Sequence, residues 1–345
     1  MDSVTHAVSG TALVLALQHR PATKWAVPIA MAVACMPDID ILFSRAPIDS
    51  LLFHRGITHS LFASPILALL CALLMYPFWR RGTRQAWTFK GSALFAFSLL
   101  LIHIWLDCVT SYGTLAFLPF SDYRVRLNGM FIVDLALLVP LIIACCVAWR
   151  RPRIAAIAII WLFLYSGGTV LWRIHLHDKW DASLRADGLA PAELSVLPDV
   201  FSPLYWKVQY EHNGQCFQAP LAWNGERTGV WEQRPSAGDL LSRLSLEDRN
   251  VRIWTQFCLL PLLHEQDWEG GKEYGFDDWR FDSFVPFFRA WRRNDVRFFR
   301  FMARVDDTGR LVAVRYVSGR GDLGWRPPVA PSGRSGIRWL IGLDN

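Results

Sequence analysis

Apolar positions run together in the first half of this chain and break up in the second. Four stretches, Ser60 to Trp79, Gly91 to Val109, Met130 to Trp149 and Ile154 to Trp172, stay apolar over about 20 residues, the length a helix needs to cross a hydrocarbon layer of roughly 30 Å. Two shorter stretches, Val4 to Leu17 and Trp25 to Met36, predict a compact pair that only just crosses. After Trp172, prolines, scattered charges and many tryptophans interrupt the apolar pattern. Strand-like runs follow at Leu204 to Tyr210, Gln215 to Ala219, Val296 to Val305 and Arg310 to Val317, with a hairpin turn at Asp306-Asp307-Thr308-Gly309. Ala237 to Leu244 and Glu247 to Phe257 read as helices. The expected fold is mainly α. A polytopic membrane helix bundle of about six helices (residues 1–178) is followed by a C-terminal α+β soluble domain (residues 179–345) packed over the mouth of the bundle.

Composition agrees with a membrane assignment. Of 345 residues, 52% are hydrophobic, high for a soluble protein, and the excess lies in the first half. Lysine and arginine in short loops are retained on the cytoplasmic side. With the N-terminus outside, the inner loops carry Arg20, Lys24, Arg80, Arg81, Arg84, Lys90, Arg150, Arg151 and Arg153, whereas the longer outer loops hold only Arg45, Arg55, Arg124 and Arg126. That arrangement predicts a multi-pass protein of a bacterial inner membrane with its C-terminal domain in the periplasm. Asp2 and His6 replace the basic region of a cleavable signal, so the first helix is expected to stay.

The formal charge of +6 is accounted for by those inner loops. Aromatic side chains stack on bases, but tryptophan also belongs at membrane interfaces and in mixed cores, so no nucleic-acid partner is expected. The seven cysteines form no metal spacing. Cys35, Cys71, Cys108, Cys145 and Cys146 lie in or beside apolar helices as small hydrophobes; Cys216 and Cys258 fall in the second half, where geometry decides between a disulfide and two thiols.

Ligand-type side chains gather at the ends of the apolar stretches. Asp2 with His6, and His103 with Asp107, stand four apart and so share a helix face. Pro37-Asp38-Ile39-Asp40 closes the second stretch, and His54-Arg55-Gly56-Ile57-Thr58-His59-Ser60 opens the third. On the topology drawn from basic residues alone, all of these, with Asp134, fall on the outer side. The placement predicts a surface metal site. Asp38 and Asp40, two apart after a proline, direct one carboxylate to the metal and the other to the second nitrogen of a ligand histidine. Thr58 or Ser60 caps the third helix, and Arg55 offers a planar fork to phosphate or carboxylate. Asp134 reads either as a ligand, or a carboxylate orienting one, or as a carboxylate at the positive end of a helix. His175 and His177 lie within reach at the end of the sixth helix.

These strings, with Tyr112-Gly113, Pro119-Phe120-Ser121 and the later Leu197-Pro198 and Leu204-Tyr205-Trp206, resemble the membrane-bound metal-dependent hydrolases of the YdjM type. The resemblance is strong over roughly the first 135 residues and loose beyond them. It implies an integral membrane hydrolase using a divalent metal, zinc first. The order of aspartate, histidine, then histidine and aspartate four apart is also similar to zinc-dependent phospholipase C and P1-type nucleases.

The expected ligands are Asp2, His6, Asp38, Asp40, His54, His59, His103, Asp107 and Asp134, with Asp40 or Asp107 bridging metals and Arg55 holding phosphate oxygens. A site at headgroup level implies a membrane lipid or lipid-linked ester, phosphoester favoured, as substrate. Two other readings stand beside the hydrolase. A transporter would place its ionisable groups near the midplane of two related halves, a pattern this sequence lacks. A non-enzymatic assembly protein would use the metal only to tie helix ends together.

Overall fold

The computed structural model describes residues 1–19, 21, 23–44, 47–80, 87–191, 193–292, 299–318, 321–322 and 324–331. Arg20, Arg45, Arg81 and Arg84, four of the charges used to orient the chain, lie outside the described residues, as do positions 296–298 of a predicted strand.

The chain divides into two units. The first comprises Met1–Phe43, Arg55–Arg173 and Phe201–Pro203. Its apolar helices are α1 (Ser3–Ala16), α2 (Ala26–Ala34), then, beyond the short α3 (Ser50–Phe53) of the second unit, α4 (Ser64–Trp79), α5 (Phe89–Val109), α6 (Leu135–Ala148) and the start of α7 (Pro152–Ala186). Side-chain oxygens of Asp2, Thr88 and Asp134 cap α1, α5 and α6, taking up backbone N–H groups that a helix start leaves without partners. Pro77 and Pro140 sit inside α4 and α6, as membrane helices tolerate.

Of about six expected crossings, two helices among the described residues, α5 and α7, are long and apolar enough, or three if Pro47–His59 and Ser64–Trp79 count as one broken span. The reason is length. A 14-residue helix such as α1 or α6 rises about 21 Å, short of the roughly 30 Å hydrocarbon layer. The outward faces are nonetheless apolar: Leu69, Leu73 and Leu74 on α4, Ile143 on α6 and Leu164 and Leu171 on α7 are exposed, as lipid-facing residues are.

Close packing of α1 on α2 fixes where the chain leaves α2. A Cβ at Gly10 would lie 2.7 Å from Ala30 O and from Ala34 Cβ, so only a residue without a side chain lets these backbones approach.

The second unit holds Ser44–His54, Ile174–Val200 and the chain from Leu204 onward. Among the described residues it forms two antiparallel sheets. The first has strands β1 (Glu193–Pro198), β2 (Tyr205–His212), β3 (Gln215–Ala222) and β4 (Glu232–Pro235); the second has β5 (Pro261–Trp268), β6 (Gly271–Asp278), β7 (Phe299–Asp306), β8 (Leu311–Ser318) and β9 (Gly321–Asp322). Helices α8 (Gly238–Leu244), α9 (Arg249–Phe257) and α10 (Pro286–Arg292) accompany them. Buried aromatic rings of Trp254, Phe257, Phe276, Phe301 and Tyr316 fill a core shared by α9 and the second sheet. The predicted hairpin forms at Asp306–Gly309, where Asp306 Oδ1 accepts from Thr308 N and Arg310 N and Gly309 takes a φ of +85°. Cys216 and Cys258 are not joined in a disulfide.

Candidate metal centre

Three local features bring the ligand-type side chains together. Past α2, Pro37 offers no N–H to continue an α-helical ladder, and the chain tightens into a 3-10 segment, Met36–Phe43, that carries Asp38 and Asp40. On α5, the four-residue interval puts His103 and Asp107 on one face. Between them, Arg55 reverses the chain at a φ of +61°, an uncommon region for a residue with a side chain. Its N–H donates to Asp40 Oδ2 at 3.0 Å and its carbonyl accepts from Leu115 N at 2.9 Å. The turn Ile57–His59 follows and delivers His59.

Asp38, His59, His103 and Asp107 each offer one ligand atom, all within 4.8 Å of one another. His59 Nε2 lies 3.0 Å from His103 Nε2, 3.1 Å from Asp107 Oδ2 and 3.4 Å from Asp38 Oδ1. His103 Nε2 lies 3.4 Å from Asp107 Oδ2 and 3.6 Å from Asp38 Oδ1. Donor atoms around a tetrahedral metal lie about 3.3 Å apart. Asp107 Oδ2 is buried and takes no well-formed hydrogen bond, an orphaned acceptor of the kind a cation satisfies.

The opposite nitrogens are held by the protein. His103 Nδ1 meets the Ala34 carbonyl at 2.7 Å. His59 Nδ1 lies 3.0 Å from the Thr58 hydroxyl and 3.3 Å from Asp40 Oδ2, and Thr58 itself donates to Asp40 at 2.9 Å. Acceptors at Nδ1 keep the proton there and leave Nε2 with its lone pair, the outer arrangement that orients metal-binding histidines.

The arginine is committed to the protein. Arg55 Nη2 pairs with Asp107 Oδ1 at 3.0 Å, and Nη1 donates to Asp107 O and Thr110 Oγ1. Its guanidinium lies over the Tyr112 ring, 4.8 Å from the centroid. It fixes Asp107 rather than presenting an open fork to a phosphate.

The remaining expected ligands are placed as follows. His6 is fully buried, stacks on His103 at 3.7 Å and brings Nε2 within 3.3 Å of Asp107 Oδ1. Asp40 supports His59 from behind, as the two-residue interval after Pro37 suggests. Asp2 caps α1, both oxygens taken by Thr5. Asp134 caps α6 and accepts from Leu137 N, Tyr165 Oη and Ser202 Oγ. Neither belongs to the four-residue cluster. His54 follows α3 in the second unit, which also holds His175 and His177, and none of the three is in the cluster. Thr58 and Ser60 do not cap the third apolar helix: Thr58 turns to Asp40 and Ser60 to the Leu118 carbonyl, so α4 starts only at Ser64. The Ala34 carbonyl and Thr110 escaped sequence reasoning, because a backbone acceptor has no residue signature and a lone threonine carries little.

The YdjM inner membrane protein family matches residues 1–176. The chain is 32% identical to the uncharacterized protein YfhP of Bacillus subtilis (strain 168) over 136 residues, 37% of this chain and 40% of YfhP. It is 30% identical to the inner membrane protein YbcI of Escherichia coli (strain K12) over 125 residues, 35% of this chain and 69% of YbcI. The match thus spans less than half the length of YfhP. No solved structure matches the chain significantly.

Proposed function

This chain belongs to the YdjM inner membrane protein family, and from that premise we propose that it is a zinc-dependent hydrolase of a lipid-borne ester, phosphoester favoured, working at the outer face of the inner membrane. The observation that carries the reading is the meeting of His59 Nε2, His103 Nε2, Asp107 Oδ2 and Asp38 Oδ1 from three separate segments. Two imidazoles and two carboxylates suit zinc. When bound, such an ion supplies Lewis acidity, activating water and polarising an ester oxygen. The chain's own residues do the rest. Asp40 with Thr58, and the Ala34 carbonyl, hold the imidazoles in the metal-binding tautomer. Arg55 pairs with Asp107 and holds it in place. Asp38, the one ligand whose side chain is partly exposed, at 18%, is the side from which substrate and water reach the centre.

Purified protein should contain zinc and release headgroup or phosphate from a panel of phospholipids and lipid-linked phosphates, with both properties lost in His59→Ala and Asp107→Ala. Four protein ligands also suit a closed, structural metal. Zinc present in stoichiometric amount without turnover of any lipid in the panel would favour that second reading, and absence of zinc would remove both.

A further inference from the structure

Three segments around the metal centre carry few charges, and all three lie in the first unit. Met36–Phe43 has only Asp38 and Asp40, both beside His59; residues 56–63 have only His59, and residues 115–121 have none. What they expose is apolar: Ile39, Ile57, and above all Leu42, Phe62 and Phe120, which are 76%, 52% and 73% exposed. An exposed apolar residue is ordinary when it stands alone, whereas a group of them on neighbouring segments marks a contact surface. The segments are stitched together. Thr58 donates to Asp40, Leu61 N donates to Ala116 O at 2.9 Å, and the rings of Phe62 and Phe120 meet edge to face at 4.7 Å.

Three observations name the lipid bilayer as the occupant of this surface. The first is depth. Lys90 is exposed at the start of α5, and from there the helix rises about 20 Å to His103 and about 26 Å to Asp107. A hydrocarbon layer of roughly 30 Å that begins at Lys90 therefore reaches past both side chains, and any tilt of α5 carries them deeper. The second is continuity: the exposed apolar face of α4, with Ile66, Leu69 and Leu73, begins one turn beyond Phe62. The third is the backbone. Hydrocarbon offers no partner to an open N–H or C=O, and these non-helical segments pair their own. His59 N donates to Gly56 O, Ser60 N to Ile57 O, Leu118 N to Leu115 O and Phe120 N to Phe117 O.

We propose that these segments form an apolar collar immersed in one leaflet, at the level where acyl chains meet their ester groups, so that the metal centre opens sideways into lipid. As the entrance of a lipid hydrolase the collar rests on the function proposed above; its immersion requires neither metal nor turnover.

The test labels the unsubstituted full chain, in vesicles of phosphatidylethanolamine and phosphatidylglycerol, from the two sides separately. Hydroxyl radicals generated in the water oxidise side chains that water reaches. A phospholipid with a photoactivated diazirine in its acyl chain marks those that lipid reaches, and peptide mass spectrometry reads both. Leu73 on α4 is the lipid reference, and Leu246 in the second unit, 73% exposed like Phe120, is the water reference. After correction for intrinsic reactivity, Phe62 and Phe120 should be oxidised about tenfold less than Leu246, because the layer excludes water, and should take up the lipid label as Leu73 does. Oxidation equal to that of Leu246 would show a collar open to water and overturn the proposal. Protection from both reagents would overturn it too, since the surface would then be covered by protein. Neither zinc nor turnover is read, so failure of the collar and failure of the hydrolase reading remain distinguishable.

Discussion

His59 and His103 direct their Nε2 atoms at each other across 3.0 Å, while each Nδ1 faces an acceptor of the protein. Two lone pairs so close repel unless a proton or a cation lies between them, and the carboxylates of Asp38 and Asp107 complete a negative cage around that point. Replacing Asp40, which touches no metal position, tests the outer arrangement. Asp40→Asn should retain the fold and weaken zinc binding about 10–100-fold, as read by competition with a chromogenic chelator. Wild-type affinity in that variant would show that His59 needs no carboxylate behind it.

The Arg55 site makes two opposing contributions that substitution can separate. Its guanidinium pairs with buried Asp107, and removing one partner of such a pair costs about 3–5 kcal/mol. Its backbone sits at φ +61°, which costs a residue with a Cβ about 1–2 kcal/mol. Arg55→Ala should therefore melt well below wild type in detergent, and Arg55→Gly, though it loses the same pair, should melt above Arg55→Ala. The reverse order would mean that the turn is not strained.

Asp134 provides the contrast with the proposed ligands. Its carboxylate caps α6 and collects hydroxyls from Tyr165 and Ser202. Asp134→Ala should leave the zinc content unchanged and cost about 1–2 kcal/mol of stability through the lost cap. Loss of zinc with an intact fold would instead return Asp134 to the ligand set.

The cluster was legible where spacing carries geometry. His103 and Asp107 share a helix face at any four-residue interval, and Pro37 signals the turn that separates the tasks of Asp38 and Asp40. Spacing could not tell a cap from a ligand, because Asp2 and Asp134 satisfy both descriptions until the N–H groups they accept are seen. Nor could it show that Arg55 pairs with Asp107. In the second unit, β7 and β8 were readable from β-branched and aromatic runs around a turn. By contrast, β5 and β6, Pro261-Leu-Leu-His-Glu-Gln-Asp-Trp and Gly271-Lys-Glu-Tyr-Gly-Phe-Asp-Asp, contain glycine, proline and acids that strands usually avoid. Cross-strand pairs such as Arg304 with Glu273 and Gln266 with Glu273 compensate for that composition, and such pairs are invisible before the register is known.

Cys216 allows a prediction in the second unit that is independent of the metal. It is fully buried beside Leu260, Leu262 and Trp279, and burial pushes its thiol from an ordinary 9.0 up to about 12. In the unfolded chain the group ionises near its ordinary value, so the folded state holds its proton longer. The stability this confers is complete below pH 9 and is lost as pH climbs from 9 toward 12, at about 1.4 kcal/mol per pH unit. Chemical denaturation followed by the strand signal in circular dichroism should thus fall away more steeply above pH 9 in wild type than in Cys216→Ala. At pH 8 the same thiol should resist iodoacetamide until denaturant is added, since only the thiolate reacts. Prompt alkylation of native Cys216, or an alkaline profile identical in the alanine variant, would mean that this side chain is not sealed in the core as described.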